Sequence, residues 1–188
     1  DGLTVPTVIR NAFPRAGKRG WQLAGEGGRA MARICVGAEK QFIADVDFEA
    51  ARRGLERADQ AIAMATMFLS EHIGVRGVVA MTESGGTARF LSRFRSSVPI
   101  FAFSRHGPAR RKMALMRDVF PMDYDSRGQT PREAARGSIR LLVDAGLLRP
   151  GDRVVFTSGE HMETRGATNT LRLLEIGEDG CATGLGEL

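Results

Sequence analysis

Short apolar runs, each the length of one β-strand, recur along this chain between amphipathic segments. The clearest run is 75–81, where Val78, Val79, Ala80 and Met81 follow one another as in a strand covered on both faces. Residues 119–124 form a weaker run that Pro121 interrupts, which favours an edge strand. The runs predict five strands, at 75–81, 99–104, 119–124, 153–158 and 168–176.

Helical periodicity fills the intervals between these runs. The segment 59–72 is strongly apolar, and Thr130, Pro131 and Glu133 have the spacing of a capping box that opens a helix ending near Ala145. A basic helix follows the turn at 105–108 and extends to Met116. The pattern predicts helices at 29–41, 47–57, 59–72, from 88 onward, before 116, and at 131–145.

Alternating strands and helices predict an α/β fold, a three-layer α/β/α arrangement around a mostly parallel five-stranded sheet. The segment 159–167 is too short for a helical crossover, so the last two strands are expected to be antiparallel. Residues 1–28 have scattered Gly and Pro and no sustained period, which predicts poor order or at most a short helix. Residues 177–188 are expected to be a frayed tail, which leaves 29–176 as the folded domain.

The turn that follows the first strand, TESGGT at 82–87, carries the clearest candidate chemistry. Gly85 and Gly86 allow a tight backbone and close approach of a ligand, while Ser84 and Thr87 supply hydroxyls. Free N–H groups at a helix start make such a turn an anion site, most often for phosphate. An ordinary strand-to-helix loop is the alternative. The turn lacks the Gly-Lys-Ser/Thr of a Walker A loop and the GxSxG of a nucleophile elbow.

Charge leaves a second function class open. The net charge is +5, and 84–117 contains no Asp or Glu but eight Lys and Arg residues. A solvated basic face, a subunit contact, an anionic ligand or a nucleic acid would each suit this segment. No zinc-finger spacing or RNP motif supports nucleic acid, and aromatic residues are only 6%. A basic nucleic-acid-binding module is therefore retained as the alternative function.

The cysteines, the histidines and the apolar runs bear on metal binding and on the cellular location of the protein. Cys35 and Cys181 lie far apart, and the three histidines form no metal-binding motif, so no metal site is predicted. Reduced thiols fit a cytoplasmic protein. No apolar run approaches the ~20 residues that span a bilayer, and the N-terminal segment lacks a signal-peptide pattern, so neither a membrane nor a secretory setting is expected.

Five segments in order give the chain a resemblance to the C-terminal domain of the pyruvate kinase family. They are MARICVGAE (31–39), TESGGTAR (82–89), VPIFAFSRH (98–106), GDRVVFTSGE (151–160) and GATNTLRLLEI (166–176). The combination of TESG-TAR with G-TNT is specific, and the SRH that follows the second strand looks most like the bacterial form activated by AMP or sugar monophosphates.

The resemblance implies a regulatory and oligomerisation domain that binds a phosphorylated effector. It assigns the effector phosphate to Thr82, Ser84, Gly85, Gly86 and Thr87, and the loop beside it to Gly159, Glu160, Gly166 and Thr168. It also implies a homotetramer. Catalysis in the family occurs in a separate barrel that binds Mg²⁺ and K⁺, and no barrel motif is present here. We therefore expect no cofactor and no turnover of phosphoenolpyruvate by this chain alone; phosphotransfer by the chain itself is the competing enzyme hypothesis.

The stretch before MARICVGAE departs from the family. GWQLAGEGG (20–28) stands where the family ends its barrel, and a one-base shift in one choice of codons spells a family-like AGNWPVKAV. We therefore interpret 1–28 as a barrel-end remnant or a frame-shifted translation. The gene's nucleotide sequence tests the second hypothesis.

Overall fold

The computed structural model describes residues 18–41, 55–94, 96, 98–160, 164 and 166–184. Internal contacts divide the chain into two units, Asp1–Ala44 and Asp45–Leu188. The helices and strands in chain order are α1 (Lys18–Gln41), α2 (Ala58–Ile73), β1 (Gly77–Met81), α3 (Gly86–Leu91), β2 (Ile100–Ser104), α4 (Gly107–Met113), β3 (Val119–Asp123), α5 (Pro131–Asp144), β4 (Arg153–Gly159), β5 (Thr168–Ile176) and β6 (Ala182–Thr183).

The described part of the first unit is one helix. α1 begins at Lys18, so the predicted start at Arg29 was wrong, and residues 18–28, for which the sequence predicted poor order or at most a short helix, belong to a 24-residue helix. The four glycines between Gly20 and Gly28 each lower helix propensity by about 1 kcal/mol relative to alanine, which explains why the sequence pattern did not indicate a helix there. The other predicted helix near this boundary, 47–57, falls mostly outside the described residues.

The second unit is an α/β fold, as the sequence predicted. Its sheet has the strand order β3-β2-β1-β4-β5-β6. β1 pairs in parallel with both β2 and β4, β3 pairs in parallel with β2, and β5 is antiparallel to β4, which confirms the antiparallel strand. β3, the run that Pro121 interrupts, is an edge strand of this sheet, as expected.

Helices cover both faces of the sheet. On one face α2, α3 and α4 contribute Met67, Leu91 and Met113, all fully buried against β1 and β2 residues. On the other face α5 contributes Ile139 and Leu142, which pack against the remaining strand side chains. Two apolar cores therefore lie on either side of one sheet, and the three-layer prediction is confirmed.

The sheet has six strands, so the predicted number of five was wrong. The tail was expected to fray from Gly177, but the chain turns there, with the Gly177 N–H donating to the Cys181 carbonyl at 2.8 Å. Gly180 adopts φ 72°, which suits a residue without a side chain. β6 then pairs antiparallel with β5 at Glu175 and Ile176.

The strand order places two loops at the same edge of the sheet. β1 and β4 are parallel neighbours, with Ala80 opposite Thr157, so the turn after β1 and the loop after β4 leave the sheet side by side. Ligands of open α/β sheets bind at the carboxyl ends of the strands, which is the edge described here. None of the helices described is both long enough and apolar enough to cross a membrane.

Candidate anion-binding pocket

A pocket of about 280 Å³ lies at this edge, between the turn 82–87 and the loop that joins β4 to β5. Both segments contribute to its lining. Seven of the nine residues predicted for an effector site line it: Thr82, Ser84, Gly86, Thr87, Gly159, Gly166 and Thr168. The fold thus brings together two segments that are more than 70 residues apart in the sequence.

The other two predicted residues, Gly85 and Glu160, are not part of the lining. Gly85 has φ 83°, and a Cβ there would lie 3.0 Å from Cγ of Met113. Its role is to shape the turn against α4. Glu160 is exposed, and its backbone N–H donates to Oδ1 of Asn169 at 3.1 Å.

Hydroxyl groups hold the turn and join it to the loop. Oγ1 of Thr82 accepts from the Gly85 N–H at 3.0 Å, which closes the turn and leaves the hydroxyl proton available to a ligand. Oγ1 of Thr87 and Oγ1 of Thr168 lie 2.7 Å apart and form a buried hydrogen bond. This bond links the first turn of α3 directly to the start of β5. Ser84 is exposed, so its hydroxyl is free to reach a molecule in the pocket.

The Glu83 carboxylate is held by cationic and imidazole groups from the chain after β2. It accepts from Nη2 of Arg105 at 3.3 Å and lies 2.5 Å from Nε2 of His106. Its side chain is only 10% exposed. A carboxylate beside an anion site would repel the ligand, and this pairing compensates the Glu83 charge from outside the turn.

Arg89 supplies positive charge to the lining. It is exposed, and its guanidinium carbon lies 5.0 Å from the centre of the Phe90 ring. Contact with an aromatic face restrains the guanidinium without neutralising its charge. Its side chain is accessible both to solvent and to the pocket.

Among the charged residues of the lining, sequence reasoning missed Arg57 and Asp59. Nε and Nη2 of Arg57 donate to the two carboxylate oxygens of Asp59, at 3.0 and 2.7 Å. Asp59 is 4% exposed, and a Cβ at Gly166 would lie 2.6 Å from Nη2 of Arg57. An acidic residue in the first turn of a helix is an ordinary partner of the helix N-terminus, so no sequence signal indicated that Asp59 lines a pocket.

Part of the positive charge of the basic stretch 84–117, which includes α4, is compensated by nearby carboxylates. Acids just beyond its ends pair with arginines inside it: Arg105 with Glu83, Arg110 with Asp123 at 2.7 Å, and Arg117 with Asp118 at 3.0 Å. Over the described ranges, no group of three or more His, Cys, Asp or Glu residues could hold a metal ion.

A match to a known protein family spans both the turn 82–87 and the loop after β4. The family described as "Pyruvate kinase, alpha/beta domain" matches residues 60–174. Pyruvate kinase II of Salmonella typhimurium is 42% identical over 148 residues, which are 78% of this chain and 31% of that protein.

Two further bacterial proteins give similar coverage. A pyruvate kinase of Buchnera aphidicola subsp. Baizongia pistaciae is 37% identical over 79% of this chain and 31% of that protein. A pyruvate kinase of Haemophilus influenzae is 32% identical over 78% of this chain and 30% of that protein. The chain thus spans about a third of the length of these relatives. The predicted resemblance is confirmed: the chain belongs to the pyruvate kinase family, and residues 60–174 are the C-terminal α/β domain of that family.

Proposed function

We propose that the pocket binds the phosphate of a small-molecule effector and that the chain acts as a regulatory domain of a pyruvate kinase. The observation that supports this most directly is the convergence of Ser84, Thr87 and Thr168 on one pocket whose lining includes Arg89. Hydroxyls, free N–H groups and a guanidinium are the donors that phosphate oxygens accept from. α3 has only six residues, so the proposal depends on these donors rather than on a helix dipole.

The proposed effector is AMP or a sugar monophosphate. Two arginines and two carboxylates line the pocket, and Arg105 and His106 compensate one of the carboxylates from outside. Among the described lining side chains, Arg89 is the cation without a carboxylate partner. One such cation suits one phosphate group better than two.

The same proposal includes self-association into a homo-oligomer, a tetramer in the full-length enzyme. Formation of pyruvate and ATP from phosphoenolpyruvate and ADP is assigned to a barrel domain outside this chain, together with the Mg²⁺ and K⁺ that this reaction uses. Lack of turnover by the chain alone stays a prediction, and so does a cytoplasmic location. Partial pairing of the basic stretch 84–117 weakens the nucleic-acid alternative, since among its described residues Arg105, Arg110 and Arg117 face carboxylates.

Ser84→Asp tests the phosphate site. The substitution places a negative charge where the phosphate is expected, and we predict that it abolishes binding of AMP and of glucose 6-phosphate, measured by calorimetry on the full chain. Ser84→Asn is the matched control, because it adds a side chain of nearly the same size without charge and should weaken binding only slightly. Unchanged affinity in Ser84→Asp, or no binding by the unsubstituted chain at millimolar ligand, contradicts the proposed site.

A further inference from the structure

Resting on the proposed function, we infer that Asp59, with Arg57, determines how many phosphate groups the pocket accepts. Two observations place the pair at the pocket: both side chains belong to its lining, and both lie against Gly166 of the opposite loop. Asp59 is nearly buried, with its side chain 5% exposed, while the Arg57 side chain is 57% exposed. The carboxylate is therefore fixed, and the guanidinium that covers it is accessible to a ligand.

The pairing geometry limits what Arg57 offers to an anion. Its Nε and Nη2 are both directed at Asp59, in the two-pronged arrangement typical of strong Arg–carboxylate contacts. The guanidinium charge is thereby compensated within the pocket, so a second phosphate at this wall meets a nearly neutral pair rather than a free cation. A ligand with one phosphate at the turn and a neutral sugar or base toward Arg57 avoids that penalty.

Asp59 differs in this respect from the other carboxylate of the lining. Glu83 is compensated by Arg105 and His106, neither of which lines the pocket, so its pairing leaves the charges of the pocket cations untouched. Asp59 instead pairs with Arg57, a cation that does line the pocket, and so compensates the charge that Arg57 would offer to a ligand. Removal of the Asp59 charge alone would therefore convert Arg57 into a second available anion contact.

Asp59→Asn tests this inference because asparagine keeps the shape and removes the charge. The probes are glucose 6-phosphate and glucose 1,6-bisphosphate, which differ by one phosphate, and the quantity is the ratio of the bisphosphate Kd to the monophosphate Kd by calorimetry on the full chain. We expect Asp59→Asn to lower this ratio by about three- to ten-fold, since the gain in attraction grows with ligand charge. A purely structural role for the pair would change both affinities together and leave the ratio constant.

Two further variants make the test decisive. Asp125→Asn removes a carboxylate charge from a second Arg–Asp pair, Arg127–Asp125, whose residues are also two positions apart in the sequence. This pair does not line the pocket, so the substitution should leave the ratio of the two Kd values unchanged. Arg57→Gln should raise the ratio by about three-fold, and it carries the test if Asp59→Asn does not fold.

An unchanged ratio in the pocket variant that folds, or an equal change in Asp125→Asn, overturns the inference. In that case loss of binding in Ser84→Asp would still support the proposed function. If the unsubstituted chain binds AMP but neither sugar phosphate, the inference fails and the proposed function stands; if it binds none of the three, both proposals fail.

Discussion

The Thr87–Thr168 hydroxyl pair is the smallest feature on which the pocket depends. Their oxygens lie 2.7 Å apart, both residues are buried, and the bond joins two segments that the sequence separates by 81 positions. Replacement of Thr87 by Val keeps the shape but leaves the Thr168 hydroxyl without this partner. An unsatisfied buried hydroxyl costs about 1–3 kcal/mol, so we predict a loss of that size in the free energy of unfolding by urea.

A double-mutant cycle separates this bond from other effects of the substitution. Thr168→Val should cost a similar amount, and the double variant should cost clearly less than the sum of the single losses, because both polar groups are then gone. Weaker binding of AMP should accompany each single change, since the two walls of the pocket lose their link. Strictly additive losses would show that the hydroxyls do not interact in solution.

At the scale of single residues, the sequence predicted the pocket-lining residues of the turn 82–87 better than those of the surrounding segments. A glycine-rich hexapeptide after a buried run has a local signature, and Thr82, Ser84, Gly86 and Thr87 all line the pocket. Arg57 and Asp59 have no such signature, because their position opposite Gly166 arises from how α2 packs on the sheet. Pairing of Glu83 with Arg105 and His106 likewise depends on the alignment of β1 and β2, which local pattern does not encode.

At the scale of elements, α5 shows a helix start that the sequence specified fully. Oγ1 of Thr130 accepts from the Glu133 N–H at 3.2 Å, and the Glu133 carboxylate accepts from the Thr130 N–H at 2.7 Å. Pro131 occupies the first turn, where its missing N–H is not needed. The predicted capping box is therefore confirmed. Thr130→Ala should lower the free energy of unfolding by about 1 kcal/mol at neutral pH.

The same cap predicts a pH dependence. Hydrogen bonds from the Thr130 backbone and hydroxyl hold the pKa of Glu133 below its ordinary value of 4.5. A carboxylate whose pKa is lower in the folded state stabilises the protein above its unfolded pKa, and this contribution disappears as pH falls through the folded pKa. The stability difference between the unsubstituted chain and Glu133→Gln should thus be largest near neutral pH and shrink below about pH 4.5.

Urea unfolding at pH 7, 5, 4 and 3 measures the stability difference between the unsubstituted chain and Glu133→Gln. As a control, Glu133→Gln is also introduced into the Thr130→Ala variant. With the donor hydroxyl removed, Glu133→Gln should have a smaller effect at pH 7 and a weaker pH dependence. A difference that stays constant from pH 7 to pH 3 would contradict the assignment to the cap.

The elements that the sequence did not indicate, the first part of α1 and the strand β6, lack a local residue pattern that predicts them. α1 continues through four glycines that the pattern reads as breakers, and β6 is only two residues long, too short for any periodicity. β6 forms because the turn 177–180 returns the chain to Glu175 and Ile176. Strands and helices with buried faces of five or more residues were predictable, since burial imposes the repeat that the pattern analysis detects.

For the whole molecule, the apolar surface around Leu173 bears on self-association. Among the described residues β6 is the outermost strand of the sheet on this side, and it pairs with β5 at Glu175 and Ile176. Leu173 on this strand is 42% exposed, and Phe68 on α2, which packs on the same sheet face as Leu171, is 49% exposed. Exposed apolar side chains on neighbouring elements favour contact with a second copy of the chain.

We therefore predict dimers or larger oligomers at ~100 µM, a concentration at which a weak interface is populated, measured by sedimentation equilibrium. Leu173→Lys should shift the population toward monomer, because the lysine replaces an exposed apolar side chain with a charge that resists burial. Leu141→Lys is the matched control: Leu141 is 41% exposed but lies on α5, over the opposite face of the sheet. A monomeric unsubstituted chain at ~100 µM contradicts the oligomer itself. Equal dissociation by the two lysine variants would instead show that association does not depend on the apolar surface around Leu173.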